Sequence, residues 1–275
     1  LDLLEVLNIS SHSNTLIVQC DKGDTINMGS GWTQQPDEQI NGNTYDVYTQ
    51  GAAILKIESP AFGLDLSHLD GSNGFVLNGI DVDDNSGWAV STAGDVNGDG
   101  FDDVIIGTPF GDPGGKSSAG ETYVVFGKSS GFTASIYLST LNGSNGFKLS
   151  GIDEFDQSGW SVSTAGDVNG DGYDDVVIGA YEASERQGLA YVVLGSALGI
   201  SSGSLAKADS RLEGLQNYNQ AGYSVAGAGD VNGDGYADVL IGADGESTAD
   251  VYAGATYLIL GSAAGVASGS LANAS

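Results

Sequence analysis

Short apolar runs that end in glycine recur three times in the second part of the chain, always in pairs. Between the two runs of a pair lies a polar segment of variable length. Short apolar runs bounded by turn residues are typical of strands buried on both faces. The segment before each pair also recurs, at 86–95, 158–167 and 221–230, and a further apolar segment, Gly74–Ile80, returns as Gly146–Ile152, so we predict four short strands per repeat. The paired runs are Val104–Gly107 and Tyr123–Gly127, Val176–Gly179 and Tyr191–Gly195, and Val239–Gly242 and Tyr257–Gly261.

A nine-residue polar loop precedes the first run of each pair, at Asp95–Asp103, Asp167–Asp175 and Asp230–Asp238. Each copy has oxygen-bearing side chains at positions 1, 3, 5 and 9 and glycine at positions 4 and 6. Ca²⁺ takes oxygen ligands, and glycine lets a short chain wrap around an ion. Ordinary Asx turns are the alternative. Since the pattern occurs three times, we favour calcium and predict about three ions.

Four short strands in each of several repeats are the pattern of β-propeller blades. The repeats resemble FG-GAP repeats, which are the blades of the integrin α-subunit propeller and of its bacterial relatives. The Phe-Gly dipeptide stands at Phe126–Gly127 and is replaced by Leu-Gly at 194–195 and 260–261. The Gly-Ala-Pro element corresponds to Gly107–Pro109 and to its weaker copies at 179–181 and 242–244.

The resemblance also implies a ligand set for each loop. The side chains at positions 1, 3, 5 and 9 and the main-chain carbonyl at position 7 would bind Ca²⁺. These residues are Asp95, Asn97, Asp99, Phe101 and Asp103; Asp167, Asn169, Asp171, Tyr173 and Asp175; and Asp230, Asn232, Asp234, Tyr236 and Asp238.

The predicted fold is all-β, a partial β-propeller of about three four-stranded blades preceded by a small β-rich module. The module covers residues 1–58, with candidate strands at 14–20, 24–28, 44–49 and 52–57. The blades cover 59–275, with repeats at about 73–145, 146–210 and 211–275. Propellers of the resembled family close with about seven blades. We therefore expect further blades from a longer chain or from another chain.

Composition narrows the classes of partner. The net charge is −28, with 8 Lys+Arg against 36 Asp+Glu, which disfavours nucleic acid and anionic membranes. No apolar run approaches the ~20 residues of a membrane span. The single cysteine, Cys20, can form no internal disulfide and reads as a small buried hydrophobe.

Several other residues have a simple interpretation and a more specific one. Trp88, Trp160 and Tyr223 stand at the same position in the three repeats, which favours core packing over stacking on sugars. The acidic clusters Asp81–Asp84 and Asp153–Asp156 are either solvated loops or auxiliary metal sites.

We expect no catalytic residues, because the two histidines, His12 and His68, belong to no recognisable motif. A glycosidase-type pair of carboxylates is the alternative among so many acids. Acids that would bind calcium are poor candidates for that role.

The resemblance implies a calcium-binding extracellular or cell-surface module for adhesion or interaction, not an enzyme. Its partner would be an extracellular protein or glycan. Recognition would lie in the variable loops Pro109–Ala119, Tyr181–Gly188 and Ala243–Ala253, since loops that vary on a fixed scaffold usually carry binding. Two alternatives stay open: a carbohydrate-binding propeller attached to a secreted enzyme, and a structural spacer in a large surface protein.

Overall fold

The computed structural model describes residues 15–18, 30–40, 43–51, 53–58, 66, 69–197, 200, 202–246 and 253–273. The chain divides into two compact units, Leu1–His68 and Leu69–Ser275. Cys20, both histidines and part of the third variable loop lie outside the described residues. Within those residues, no helix has the length and apolar character needed to cross a membrane.

The first unit contains a four-stranded sheet in the order β1-β4-β3-β2. Strands β1 and β4 are parallel, and the other two pairs are antiparallel. Leu55 is fully buried, and Tyr45 and Val47 are nearly so. The sequence did not predict β2, whose residues are largely polar and include Pro36 at the sheet edge, where proline is tolerated. The strands are β1 (Thr15–Val18), β2 (Thr33–Ile40), β3 (Asn43–Gln50) and β4 (Ala53–Glu58).

The second unit is built from three repeat sheets, numbered 1 to 3 along the chain. Its strands are β5 (Val76–Asn78), β6 (Ala89–Gly94), β7 (Asp103–Thr108), β8 (Glu121–Val125), β9 (Ser135–Tyr137), β10 (Gly146–Ser150), β11 (Ser161–Gly166), β12 (Asp175–Ala180), β13 (Leu189–Val193), β14 (Gly203–Ser204), β15 (Ser210–Glu213), β16 (Ala221–Gly229), β17 (Asp238–Ala243), β18 (Ala255–Ile259) and β19 (Gly269–Ser270).

Sheets 1 and 2 each have the four antiparallel strands that the apolar runs predict. Their orders are β6-β7-β8-β10 and β11-β12-β13-β15, and the described part of sheet 3 is β16-β17-β18. A short strand from farther along the chain adds in parallel to the outer strand, as β14 does on β10 and β19 on β15. The same parallel pairing joins β9 to β5.

Short helical turns complete the unit. Three of the 3₁₀ turns follow the added parallel strands and bury the leucine at their first position. The turns are the 3₁₀ segments Pro113–Gly115, Leu138–Thr140, Leu205–Lys207 and Leu271–Asn273 and the four-residue helical turn Ala183–Arg186.

Sheet 2 lies between the other two sheets and buries both of its faces. Ile178 and Tyr191 join a core cluster with Ile105 and Val124 of sheet 1. On the opposite side, Val177 and Val192 of sheet 2 pack in a cluster with Ile241 of sheet 3. Each fully buried aliphatic side chain contributes about 1.5–3 kcal/mol, so these two interfaces hold the stack together.

Glycine permits the close approach of neighbouring sheets. A Cβ at Gly107 would lie 1.9 Å from the carbonyl oxygen of Gly159, and one at Gly179 would lie 2.0 Å from that of Gly222. No real Cβ tolerates such distances to backbone. The Gly-Ala-Pro-like element is therefore a contact between repeats, and its glycine is required by the backbone of the next sheet.

Substitution of Gly179 tests this contact against a matched control in sheet 3. A Cβ at Gly179 or at Gly242 meets a serine hydroxyl at 2.3 Å, but only Gly179 also faces the backbone of a following repeat. We expect Gly179→Ala to lower the free energy of unfolding by about 3 kcal/mol more than Gly242→Ala. Urea denaturation measures both, and equal losses would contradict the account.

Candidate metal centre in the polar loops

The ninth residue of each polar loop is a buried aspartate that binds two backbone amides. Asp103 is fully buried, accepts from the Val96 amide at 3.1 Å and accepts from the Gly127 amide at 2.8 Å. Asp175 and Asp238 are also fully buried and make the same pair of contacts. This carboxylate therefore joins the start of the loop to the Phe-Gly or Leu-Gly element that ends the second apolar run.

Burial makes the carboxyl groups of Asp103 and Asp175 hard to ionise. Desolvation raises the pKa of Asp103 to about 6 and that of Asp175 to about 7. The two amide donors oppose this shift, and the negative charges at loop positions 5 and 1 add to it. A positive charge beside the loop would relieve both the burial cost and the repulsion.

The oxygens at positions 1, 3 and 5 fold the loop around itself. Asp95 accepts from the amides of Asp99 at 3.0 Å and Gly100 at 2.9 Å. Asn97 accepts from the Asp99 amide at 2.9 Å, and Asp99 accepts from the Phe101 amide at 3.0 Å. The loops at 167–175 and 230–238 repeat these bonds. Oxygens from alternate residues are thus gathered along one tight turn.

The donor set suits a hard cation. Each loop supplies three carboxylates and one amide oxygen, which is the chemistry that Ca²⁺ prefers. The position-7 carbonyls of Phe101, Tyr173 and Tyr236 accept no hydrogen bond from the described residues. In the same part of the chain, no group of three or more His, Cys, Asp or Glu side chains is arranged to hold a metal. The carboxylates are turned towards backbone amides instead.

The loops of repeats 1 and 2 each also contact the next repeat, which the sequence did not predict. The Asp95 and Val96 carbonyls accept from the amides of Asp174, at 3.1 Å, and Ser196, at 3.0 Å. The loop of repeat 2 binds repeat 3 in the same way through Asp167 and Val168. The bonds join backbone atoms, so residue identity gives little signal of them.

The aromatic residue at position 7 reinforces this contact. A Cβ at Gly98, which has φ +72°, would lie 2.3 Å from the ring of Tyr173 in the next loop. Tyr236 covers Gly170 in the same way. An aromatic residue recurs at position 7 in all three loops. This recurrence is the feature of the sequence that could have indicated the contact between repeats.

Trp88, Trp160 and Tyr223 form a continuous row across the repeats. The Trp88–Trp160 ring centroids are 4.6 Å apart, and the Trp160–Tyr223 centroids are 6.0 Å apart. Phe110 and Tyr181 from two variable loops also contact Trp160. The predicted core role is wrong for the two ends of the row, because Trp88 is 46 % and Tyr223 is 41 % exposed. Trp88 and Tyr223 each have a neighbouring ring of the row on one side only.

The acidic cluster Asp153–Asp156 serves mainly as a turn. Asp156 is buried and accepts from the Asp153 amide at 3.1 Å. In repeat 3 the counterpart Asn219 makes the same bond to the Gln216 amide. Burial raises the pKa of Asp156. Because the neutral amide of Asn219 makes the same bond as the Asp156 carboxylate, holding the turn explains Asp156 better than holding a metal.

Alanine at Gly98 and at Gly233 separates loop strain from the contact between repeats. Both glycines have positive φ, +72° and +76°, so alanine costs about 1–2 kcal/mol at either. Only Gly98 lies under an aromatic ring, whereas nothing lies within 4 Å of a Cβ at Gly233. We expect Gly98→Ala to cost a further 1–3 kcal/mol, roughly, in urea denaturation. Equal losses would show that the ring contact contributes nothing.

The raised pKa values predict that acidification stabilises the metal-free protein. The folded pKa values of Asp103 and Asp175, about 6 and about 7, exceed the unfolded value of about 3.9. Their contribution to stability is therefore complete below about pH 4 and is lost as pH rises towards 7, by about 1.4 kcal/mol per pH unit for each group. Urea denaturation in chelator at pH 5 and pH 7.5 measures the difference.

Two single variants control for the general effect of acid on so acidic a chain. Asp175→Asn should reduce the pH dependence of the unfolding free energy. Asp102→Asn removes the same charge from an exposed side chain in the loop and should leave that dependence unchanged. If Asp175→Asn keeps the wild-type dependence, the buried carboxylate is not its source.

Comparison with known proteins agrees with the repeat pattern. The family described as FG-GAP repeat matches residues 86–125, 158–193 and 221–259. Each match runs from the residues before the polar loop to the second apolar run, and so contains one candidate metal loop.

Curated relatives include several integrin subunits. The chain is 36 % identical over 160 residues to integrin alpha pat-2 of Caenorhabditis briggsae, which is 57 % of this chain and 13 % of that protein. It is 32 % identical over 179 residues to integrin alpha-PS2 of Drosophila melanogaster, covering 62 % of this chain and 12 % of the relative. With integrin alpha-V of Gallus gallus the identity is 30 % over 171 residues, covering 60 % and 15 %. This chain therefore contains three FG-GAP repeats and has distant similarity to integrin α subunits.

Proposed function

We propose that this protein is a calcium-binding, non-catalytic interaction module of an extracellular adhesion protein. One observation carries the proposal: the same oxygen-rich loop occurs three times, each ending in a fully buried aspartate. An uncompensated buried carboxylate close to further acids is costly, and a divalent cation offsets that cost.

The ion would be held by the side chains at loop positions 1, 3, 5 and 9 and by the carbonyl at position 7. It would supply positive charge and fix the turn, so that binding and stability rise together. Because the loops of repeats 1 and 2 also bind the following repeat, ions in these two loops would stiffen the contact between sheets as well as the loops themselves. Calcium sites of extracellular modules have dissociation constants of about 10⁻⁴–10⁻³ M.

The three sheets would act as consecutive blades of a propeller that presents variable loops to a partner. The loop segments 109–119 and 181–188 join the same strands of sheets 1 and 2 but differ in length and sequence. The similarity to integrin α subunits supports an extracellular protein or glycan as the partner. That similarity covers only a small part of the relatives, so adhesion remains part of the proposal.

Calorimetric titration of Ca²⁺ into chelator-stripped protein tests the metal sites. We expect about three ions for the wild-type chain and about two for Asp99→Asn, which alters the ligand at position 5 of the first loop. Asp102→Asn is the matched control, since it removes the same charge three residues away at a position outside the ligand set. It should still bind three.

Two results would overturn the calcium assignment. One is the absence of binding at millimolar Ca²⁺ in a folded sample. The other is an equal loss of affinity in Asp99→Asn and Asp102→Asn, which would indicate ions attracted by general negative charge. A loss confined to Asp99→Asn supports a built site in that loop.

A further inference from the structure

The tyrosine that begins the second apolar run has the same place in all three repeats, in strands β8, β13 and β18. In repeat 1 the Tyr123 hydroxyl donates to the Glu121 carboxylate. In repeat 3 the Tyr257 hydroxyl donates to Glu246 at 3.2 Å. A glutamate of the same repeat therefore accepts from this hydroxyl in repeats 1 and 3.

The tyrosine of repeat 2 has no such partner. Leu189 and Ala183 stand at the two positions that carry those glutamates in the other repeats. Tyr191 is fully buried, yet its hydroxyl makes no hydrogen bond with the described residues. Burial and the nearby Asp156 raise the pKa of Tyr191, so the hydroxyl keeps its proton and can donate. A buried donor of this kind calls for an acceptor.

Tyr191 lines a cavity of about 460 Å³ beside the second variable loop. The chain has two arginines, Arg186 and Arg211, and both line this cavity. A planar guanidinium suits a carboxylate, because it donates parallel hydrogen bonds to both oxygens. In a chain with 36 acidic and 8 basic residues, two guanidinium groups and a phenol at one cavity indicate a site for a carboxylate.

Both arginines keep donors for a ligand. Arg186 is paired with Glu182 through Nε at 2.6 Å, and Arg211 is paired with Glu213 through one terminal nitrogen at 3.1 Å. A guanidinium carries several N–H donors, so one pair does not use them all.

Repeat 1 shows how a carboxylate is held at this place. Glu121 accepts from the Tyr123 hydroxyl and from Lys148 Nζ, the latter at 2.7 Å. Lys148 lies opposite Tyr123 in sheet 1. Arg211 lies opposite Tyr191 in sheet 2 in the same way. Repeat 2 therefore has both donors, with a leucine in place of the glutamate.

Acidic residues at the same cavity set a second requirement for the ligand. Asp156 is buried and accepts from the Asp153 amide, whereas Asp153, Glu154 and Glu185 are exposed. Their charges repel a simple anion and attract a cationic group. A ligand that carries a carboxylate beside an ammonium group meets both requirements.

The second variable loop reaches this cavity in a strained conformation. Ser184, Glu185 and Arg186 have φ values of +54°, +58° and +65°. Consecutive residues with a Cβ rarely adopt this left-handed conformation, and such strain is concentrated at ligand-binding sites. Because Glu185 and Arg186 both line the cavity, the strain supports a binding role for the loop.

We propose that this cavity binds a small zwitterion, an α-amino acid. The ligand carboxylate takes the place that Glu121 has in repeat 1, between the Tyr191 hydroxyl and Arg211. Its ammonium group faces the exposed carboxylates of the lining, and an aliphatic side chain contacts Ile152 and Phe155. The proposal goes beyond calcium binding, since no residue of the cavity belongs to a polar loop.

Calorimetric titration of leucine into the full chain tests the proposal, in calcium and again in chelator. Two analogues accompany it: isocaproate, which lacks the ammonium group, and isoamylamine, which lacks the carboxylate. We expect leucine to bind at one site in both buffers. Each analogue should bind about tenfold more weakly or worse, because it loses one charged contact.

Three variants locate the site. Tyr191→Phe removes only the hydroxyl and should weaken leucine binding about tenfold, and Arg211→Gln should do the same. Lys207→Gln is the matched control, because it removes a positive charge from an exposed side chain outside the cavity. This control should bind leucine like the wild type.

Leu189→Glu gives repeat 2 the glutamate of repeat 1. Its carboxylate should engage Tyr191 and Arg211 and abolish leucine binding, with circular dichroism showing that the fold is kept. If this variant does not fold, Tyr191→Phe decides, since it leaves the packing of the ring unchanged.

Urea denaturation distinguishes a ligand-binding hydroxyl from a structural one. Tyr123→Phe loses the hydrogen bond to Glu121 and should lower the denaturation midpoint. Tyr191→Phe loses no bond to the described residues and should leave the midpoint unchanged or raise it. Equal decreases would mean that the Tyr191 hydroxyl has a structural role, against the proposal.

Three binding results would overturn the proposal: no leucine binding by the folded wild-type chain, equal affinity for leucine and isocaproate, or equal losses in Arg211→Gln and Lys207→Gln. The second would show that the ammonium group is not recognised, and the third would indicate a general effect of charge. Calcium stoichiometry is measured separately, so failure of the metal assignment is distinguishable from failure of this one.

Discussion

Two backbone amides meet at the buried end of each polar loop, and a single aspartate has to satisfy both. An unpaired buried amide costs about 1–3 kcal/mol, so position 9 cannot be an apolar residue without opening the loop. A charged oxygen in the same place is costly because water is excluded, and the raised pKa values of Asp103 and Asp175 express that cost. The fold needs a hydrogen-bond acceptor at position 9, and a nearby positive charge would stabilise the carboxylate in this buried place.

The loop held in this way also links neighbouring sheets. In repeats 1 and 2, the first two carbonyls of the loop bind the next repeat, and an aromatic ring of the next loop covers the glycine at position 4. A change in the loop therefore also alters the interface between sheets. These contacts have one direction, since the carbonyls at positions 1 and 2 of one loop accept from amides of the following repeat.

The sequence predicted the strands that carry apolar runs and the place of the three loops between them. It did not predict β2, because a polar edge strand has no apolar run. Sequence order also does not show that β10 completes the sheet before it, since that depends on pairing with β8. The exposure of Trp88 and Tyr223 depends on how many repeats surround them, which residue identity does not encode. The backbone bonds between loops leave no signal in residue identity, so the recurring position-7 ring and the Asp174 side chain, which accepts from the Asp95 amide, are the features that the sequence shows.

Hydrogen exchange of the loop amides, with and without calcium, tests the central claim most directly, because it reports on each loop separately. Metal bound by the loop oxygens should slow exchange across residues 95–103, 167–175 and 230–238 while leaving the outer strands β10 and β15 nearly unchanged. Unchanged exchange in all three loops at millimolar calcium would contradict the account and leave the aspartates as turn formers alone.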